Sequence, residues 1–447
     1  MKRLFGTDGI RGIAGVAPLD PPSVRKFGLA LAKVLAEAQQ HPPKVVAGRD
    51  TRESGPWLRD ALADGLAAAG ATLTDAGVIT TPGLAFATRS AGFDAGVMIS
   101  ASHNPFEDNG LKVFGSSGMK LDDAIEARIE ATILDPAVAI PKEGTGRTVA
   151  DASLLKLYVA ALEGVVAENR FRGLRLLIDC ANGAASTIAP AVFRDLGAIV
   201  EIRGDAPNGR NINLGCGSLH LDGLAARVVE GGFDAGLAFD GDADRCLAVD
   251  RRGRVVDGDH ILFLCGRRLK RSGGLKGNAI VATIMSNFWL EKRLESEGIR
   301  LLRAPVGDKY VLEKMIEENA ILGGEQSGHV IFRDRSTTGD GILTGLLLLD
   351  AVLDDSMSLE ATLDSIIPFP QVLINVKVGK KPDLRAHPEI GPAILAAENS
   401  LEGRGRVVLR YSGTESLARV MVEADDDALV KSTAERVADI IRTHIGR

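Results

Sequence analysis

Gly96-Val-Met-Ile-Ser-Ala-Ser-His-Asn-Pro-Phe-Glu-Asp-Asn-Gly-Leu-Lys-Val-Phe114 is the stretch that decides how the rest of the chain is read. Val97, Met98 and Ile99 form a short apolar run of the kind a buried strand makes. The run stops at Ser100, and small or turn-favouring residues continue through Pro105. Ser102 therefore sits at the mouth of a strand, flanked by His103 and by Asn104 before a proline. Open α/β sheets hold ligands at the C-terminal ends of their strands. A nearby base or electrostatic field makes such a hydroxyl a nucleophile. The bland alternative is a Ser/Asn/Pro turn.

Three distant segments have the same form, an apolar run and then a polar turn: Asp240-Gly-Asp-Ala-Asp-Arg245, Gly324-Glu-Gln-Ser-Gly-His329 and Arg410-Tyr-Ser-Gly-Thr-Glu415. On an extended strand Asp240, Asp242 and Asp244 would spread over about 13 Å, too far for one ion to bridge. Gly241 and Ala243 are small enough to let the chain curl and turn all three carboxylates inward. Two carboxylates about 4 Å apart repel by roughly 4 kcal/mol at an effective dielectric near 20, which a divalent cation offsets. All-oxygen ligation points to Mg²⁺, which commonly combines carboxylates with a phosphate oxygen. An EF-hand is excluded, because Arg245 and Arg251 occupy its glycine and bidentate-glutamate positions.

The last turn and its flanks supply Arg410, Ser412, Gly413, Thr414 and Arg419, the equipment for gripping a phosphate by charge-assisted and backbone hydrogen bonds. Glu325, Ser327 and His329 suit sugar hydroxyls or an amino group. Apolar-strand-Asp-x-Asp also resembles the nucleophile loop of haloacid-dehalogenase-type phosphatases, in which Asp240 would take the phosphoryl group. Asp244 stands where that family has Thr or Val. A serine hydrolase is disfavoured because Ser102 lacks the Gly-x-Ser-x-Gly elbow.

Around these turns the chain alternates helix and strand. Asp20-Pro-Pro opens a helix with Val24, Phe27, Leu31, Val34 and Leu35 on one face. Val45 to Ala47 is a strand ending in Gly48-Arg-Asp-Thr-Arg52, and Ser54 can cap the next helix. A helix follows from about Asp122, and Pro136 to Gly146 reads as a linker. Strands at 174–178, 199–202, 235–239 and 279–283 and one near Leu301 alternate with helices at 154–166 and 221–230 and helices starting at Asn287 and Asp308. After Pro368-Phe-Pro370 the rhythm changes to strand, helix, two strands, helix, which is α+β. The expectation is three similar α/β subdomains with mixed sheets at 1–150, 151–250 and 251–368, and a C-terminal α+β domain at 369–447, around a central cleft.

With 447 residues the chain exceeds one ordinary core. Its 45% hydrophobic and 25% charged content is that of a globular protein. Only 4% of residues are aromatic and the formal net charge is -6, which argues against nucleic acid as a partner. The apolar stretch Gly341 to Leu353 is too short to span a bilayer, so no membrane partner is expected. Cys180, Cys216, Cys246 and Cys265 show no zinc spacing, and free thiols with no signal-like N-terminus fit the cytoplasm.

Together the Ser102, Asp240, Gly324 and Arg410 segments resemble the phosphoserine, metal, sugar and phosphate loops of the α-D-phosphohexomutase superfamily, in its order. Phe5-Gly-Thr-Asp-Gly-Ile-Arg-Gly12 looks like the bacterial branch acting on glucosamine phosphates. The resemblance implies an isomerase interconverting glucosamine 6-phosphate and glucosamine 1-phosphate, feeding UDP-N-acetylglucosamine and cell-wall synthesis. It further implies phosphate on Ser102, Mg²⁺ held by that phosphate with Asp240, Asp242 and Asp244, and glucosamine 1,6-bisphosphate as intermediate. Glu325, Ser327 and His329 would meet the sugar. Arg11, Lys112, Arg245 and Lys309 would balance phosphate charge, with His329 or Lys112 as general acid or base. Glucose or mannose phosphates remain the alternative substrates, a non-enzymatic sugar-phosphate sensor is the non-catalytic reading, and a homodimer is left open.

Overall fold

The computed structural model describes residues 4–6, 8–355, 358–401, 403–412 and 416–447. The first sheet has six strands, with Lys44–Arg49 and Ala95–Ile99 parallel at its centre. Thr72–Val78 and Thr148–Ala150 extend it in parallel on one side. On the other side Asp108–Gly115 folds back antiparallel onto Ala95–Ile99, and Ile10–Ile13 pairs antiparallel with it at the edge. The second sheet has Ile199–Arg203, Arg175–Asp179 and Ala235–Phe239 in parallel, then Cys246–Asp250 returning antiparallel. The third has Arg300–Ala304, Ala279–Thr283 and Leu322–Gly324 in parallel, with Val330–Phe332 antiparallel. The C-terminal sheet is antiparallel throughout, with Leu417–Ala424 between Gln371–Lys377 and Gly405–Tyr411.

One device recurs in all four sheets. The strand before each polar turn pairs antiparallel with the strand after it, so each turn is the tip of a hairpin. Ile99 faces Leu111, Phe239 faces Cys246, Gly324 faces Val330 and Tyr411 faces Ala418. In the first three sheets the outgoing strand is parallel to its inner neighbour, so the hairpin tip projects from the C-terminal edge, where an α/β sheet is open.

The helices follow from their apolar faces and caps. Pro21–Gln39 starts with Asp20 accepting from Ser23 N at 3.1 Å and buries Val24, Phe27, Leu31, Val34 and Leu35. Gly341–Asp354, the apolar stretch too short for a membrane, is buried helix capped by Asp340. Ser54 does not cap Gly55–Ala67 with its side chain. Its Oγ accepts instead from Asn109 Nδ2 at 2.7 Å, because the returning strand competes for it. The segment 136–146 has no helix or strand, yet Asp64 ties it down by accepting from Gly144 N at 3.0 Å and Gly146 N at 2.7 Å.

Packing divides the molecule unevenly. The first unit has its own core around Phe27, Leu62 and Val97. The second and third share one, in which Phe193 and Phe239 join Phe263, Ile280 and Trp289. The C-terminal unit has a separate core around Val420, Val437 and Ile441. It meets the third unit at Asn287, which exchanges two hydrogen bonds of 3.1 Å with the Phe369 backbone. All four cysteines are free and buried. Among the described residues no helix is long and apolar enough to cross a membrane.

Candidate active site

Ser102 sits at φ +53°, a left-handed conformation that a non-glycine residue adopts only when its surroundings impose it. The surroundings do so from three sides. Ser102 N donates to Ser100 Oγ at 2.9 Å, and Ser100 Oγ donates to Asp50 Oδ2 at 2.7 Å. The guanidinium of Arg52, 1% exposed, donates to the carbonyls of Ser102 at 3.0 Å, Asn104 at 2.8 Å and Asp108 at 3.0 Å, and also to that of Pro105. Asn213 Nδ2, from the second unit, donates to the carbonyls of Ser102 and Asn104 at 2.9 and 3.1 Å. Arg52 and Asp50 pair at 2.9 Å in full burial. Burial pushes the Asp50 carboxyl up despite Arg52 and Ser100. The loop is thus held by its backbone, so that the Ser102 hydroxyl is not needed to hold it in place.

That hydroxyl donates to Asp240 Oδ2 at 2.6 Å, joining the first hairpin tip to the second. The 240–245 turn curls as its small residues allow: Ala243 has φ +54°, and a Cβ on Gly241 would lie 2.6 Å from the carbonyl oxygen of Ser102. One oxygen from each of Asp240, Asp242 and Asp244 falls within 4.8 Å of the others. Asp242 Oδ1 and Asp244 Oδ1 are buried and have no hydrogen-bond partner among the described residues. Buried acceptors without donors are costly, and three converging carboxylates, two of them with an open oxygen, fit a hard divalent cation. Burial, with Asp244 and Asp242 alongside, holds the Asp240 carboxyl well above the usual range. Burial also acts to raise Asp244, but Lys112, His329 and Arg245 outweigh it and hold that carboxyl at about 2.

Register brings the cations in. Lys112 faces Met98 across the first hairpin, and Arg11 faces Gly110 on the edge strand. Lys112 Nζ, fully buried, lies 2.9 Å from Asp242, 3.2 Å from Asp244 and 3.1 Å from Asp8. Burial acts to lower its pKa, but the three carboxylates win and raise it, so it is a fixed cation. Asp8 pairs with Arg11 and with Lys120 at 2.6 Å, and Lys120 reaches Asp308 at 2.6 Å.

A cleft of about 480 Å³ opens over this cluster, and Ser102, His103, Asp244, Arg245, Asp308, Glu325 and His329 are among the residues that line it. Burial, with Arg245 and Arg11 nearby, holds His103 down at about 4, so its ring is neutral at physiological pH. His329 is 3% exposed, and neither ring nitrogen has a hydrogen-bond partner among the described residues. Gly339 packs flat against it: a Cβ there would sit 2.4 Å from Nε2. Glu325 Oε1 accepts from Gly307 N at 3.0 Å, and Ser327 Oγ lies 3.4 Å from Glu325 Oε2.

The structure therefore gathers Ser102, the three aspartates, Arg11, Lys112, Arg245, Glu325, Ser327 and His329 in one place. Lys309 is elsewhere, paired with Asp123 at 2.5 Å. Arg410 and Arg419 face each other across the C-terminal hairpin, and the carbonyl of the buried Ser412 accepts from Lys381 at 2.6 Å. Burial and Arg419 push the Arg410 guanidinium pKa down, the mark of crowded positive charge. Gly413 and Thr414 lie outside the described residues. No described residue of the C-terminal unit lines the cleft. Sequence reasoning missed Asp8, Asp50, Arg52, Lys120, Asn213 and Asp308. Asp8, Asp50 and Arg52 stand in the 5–12 and 48–52 segments already singled out, and their charge in a turn was the available signal. Asn213 had none.

Four family models match consecutive parts of the chain. They describe phosphoglucomutase/phosphomannomutase alpha/beta/alpha domains I, II and III, at residues 2–137, 156–253 and 257–369, and the C-terminal domain, at 373–440. A phosphoglucosamine mutase of Solibacter usitatus is 49% identical over 448 residues, covering 100% of this chain and 99% of that protein. One from Deinococcus radiodurans is 46% identical over 442 residues, covering 98% of each. A solved phosphoglucomutase/phosphomannomutase family protein from Burkholderia thailandensis superposes with a TM-score of 0.82 at 26% identity, covering 99% of this chain and 98% of that one. Four hairpin tips in this order, full-length relatives and a shared architecture agree: the chain belongs to the phosphoglucomutase/phosphomannomutase family of phosphohexomutases.

Proposed function

We propose that this enzyme interconverts glucosamine 6-phosphate and glucosamine 1-phosphate by way of a phosphorylated Ser102 and a 1,6-bisphosphate of the sugar. The observation that carries the reading is the 2.6 Å contact between Ser102 Oγ and Asp240, at the edge of three converging carboxylates, two of which have an oxygen without a partner among the described residues. Full-length relatives of 45–49% identity that bear the name phosphoglucosamine mutase favour the amino sugar.

Asp240, Asp242 and Asp244 would hold the cation, Mg²⁺ by the all-oxygen chemistry of the site, beside the phosphate on Ser102. When bound, it supplies positive charge against the oxygens of the group in transfer. The chain's own residues do the rest. Arg52 and Asn213 hold the Ser102 backbone so that its oxygen faces the cleft. Arg245 and Arg11 line that cleft and offset the charge of an entering phosphate. Lys112 is already paired with three carboxylates, whereas His329 is a cleft-lining residue whose ring nitrogens have no hydrogen-bond partner among the described residues. His329 is therefore the better placed to take a proton from the attacking sugar hydroxyl. Arg410, Ser412 and Arg419 would grip the far phosphate while the bisphosphate turns over without leaving, which avoids a second encounter and excludes water.

Mass-spectrometric mapping of phosphate on the purified protein tests the first step: it should fall on Ser102, and Ser102→Ala should lack both the phosphate and mutase turnover. Phosphate on Asp240 instead would sink the mechanism. Faster conversion of glucose 1-phosphate than glucosamine 1-phosphate at matched concentrations would remove the amino-sugar assignment alone.

A further inference from the structure

Three successive carbonyls of the aspartate turn are each gripped by the first N–H of a helical segment, and the three segments belong to three different units. Ala184 N, opening the short turn Ala184–Thr187, donates to Gly241 O at 2.8 Å. Thr81 N, opening the helix Thr81–Ser90, donates to Asp242 O at 2.9 Å. Gly341 N, opening Gly341–Asp354, donates to Ala243 O at 2.9 Å. Protein donors thus set the shape of the turn, and what its carboxylates offer an ion depends on which of their oxygens are already engaged.

Thr81 engages Asp242 twice. Besides the backbone bond, its buried hydroxyl donates to Asp242 Oδ2, an oxygen that Lys112 Nζ also reaches at 2.9 Å. The helix cap belongs to the neighbouring Thr80, whose Oγ1 accepts from Gly83 N at 3.1 Å. Asp242 is wholly buried, and with Oδ2 engaged the oxygen left over is Oδ1, which has no partner among the described residues. Asp244 repeats the pattern, with Oδ2 at 3.2 Å from Lys112 Nζ and Oδ1 without a hydrogen-bond partner among the described residues. A carboxylate that offers a single oxygen suits Mg²⁺, which demands close octahedral geometry; it handicaps Ca²⁺, which gathers about six to eight oxygens and takes carboxylates by both. We propose that Thr81 is a positioning residue that sets the ion preference of the site: by holding Asp242 at its carbonyl and at Oδ2, it restricts that aspartate to ligation through one oxygen and favours Mg²⁺ over Ca²⁺. This rests on the reading that the cation sits among the three aspartates, and adds a residue from another unit that governs which cation it is. Without the hydroxyl, Oδ2 keeps, among the described residues, the ammonium of Lys112, which also serves Asp244 and Asp8, and the carboxylate can turn both oxygens to a larger ion.

The test is the ratio of the Ca²⁺ to the Mg²⁺ dissociation constant, measured by calorimetry on the chelator-stripped full-length protein, wild type and Thr81→Val. Valine keeps the branched shape and the backbone N–H and removes only the hydroxyl. Losing a partner that orients a metal ligand costs about 10–100-fold in affinity. Thr81→Val should weaken Mg²⁺ at least tenfold while Ca²⁺ binding holds, so the ratio falls at least tenfold. Thr81→Ser, which restores the donor, should keep the ratio within twofold of the wild type. Thr81→Ala replaces the valine variant if that does not fold, and the ion-dependent rise in melting temperature replaces calorimetry where heats are small. A merely structural role would weaken both ions alike. A folded variant lacking the hydroxyl whose ratio falls less than tenfold therefore overturns the role of Thr81, as does a Thr81→Ser that behaves like Thr81→Val, and either result leaves the cation site standing. A wild type that binds neither ion overturns both.

Discussion

Arg52 Nη2 donates to the carbonyl oxygen of Ser102 at 3.0 Å, from a side chain that is itself fully buried against Asp50. The contact fixes a backbone in a left-handed conformation that it would not hold alone. Arg52→Lys keeps the charge but cannot reach four carbonyls at once. We expect it to lower kcat by about a hundredfold, the usual result of misplacing a reacting atom by an ångström. Arg52→Ala strands Asp50 and should cost about 3–5 kcal/mol in a denaturant titration. An Arg52→Lys enzyme with normal kcat would show that the loop holds itself.

The aspartate turn packs through a small residue on the loop that follows Arg175–Asp179. A Cβ on Gly183 would fall 2.3 Å from the carbonyl oxygen of Gly241, and Gly183 lies under the aspartate turn. Gly183→Ala must therefore displace that turn. A destabilisation of about 1–3 kcal/mol is expected from the overpacking, together with weakened metal binding. Unchanged melting and unchanged metal affinity would contradict this contact.

Metal removal gives a third outcome. With chelator the three aspartates keep, among the described residues, their side-chain contacts to Thr81, Ser102, Arg245 and Lys112. Activity should vanish and return with added Mg²⁺. At a hundred times the dissociation constant the ion should stabilise the fold by about 2.7 kcal/mol, readable as a rise in melting temperature. Asp242→Asn should abolish most of that rise. An equal rise in Asp242→Asn would place the ion elsewhere.

The pH dependence of stability has a source away from the cleft. Asp340 caps the 341–354 helix through Leu343 N at 3.0 Å and accepts from Tyr158 Oη at 2.9 Å. Burial outweighs both and raises its carboxyl to about 6, from 3.8. The folded protein therefore holds a proton that the unfolded chain has lost, and this group's contribution falls as pH rises from about 4 to about 6 and is flat above. The loss is at most about 3 kcal/mol at 1.36 kcal/mol per pH unit. Asp340→Asn, which does not titrate, should flatten that part of the stability curve. A wild type and variant with parallel curves between pH 4 and 6 would exclude the effect.

Much of this enzyme is written in local pattern. The strands at Ala95–Ile99, Ala235–Phe239 and Ala279–Thr283 and the helix Pro21–Gln39 follow from short apolar runs and a capping aspartate, which depend only on neighbours in sequence. Ser102 and the three aspartates were legible for the same reason: chemistry-bearing residues in a turn right after a buried strand. Their distance from each other was not, because 138 residues separate the Ser102 hydroxyl from the carboxylate that receives it. Only tertiary structure decided that the strands after the turns run back antiparallel, which carries Lys112 and Arg11 to Ser102. It alone decided that Arg52 and Asn213 clamp one carbonyl, that Ser54 serves Asn109 rather than a helix end, and that Lys309 faces Asp123. Local sequence fixes which segments are strands and turns, because hydrophobic period and turn chemistry act over a few residues. Which side chains share a buried charge cluster depends on register and on close approach between domains, and no single segment carries that information.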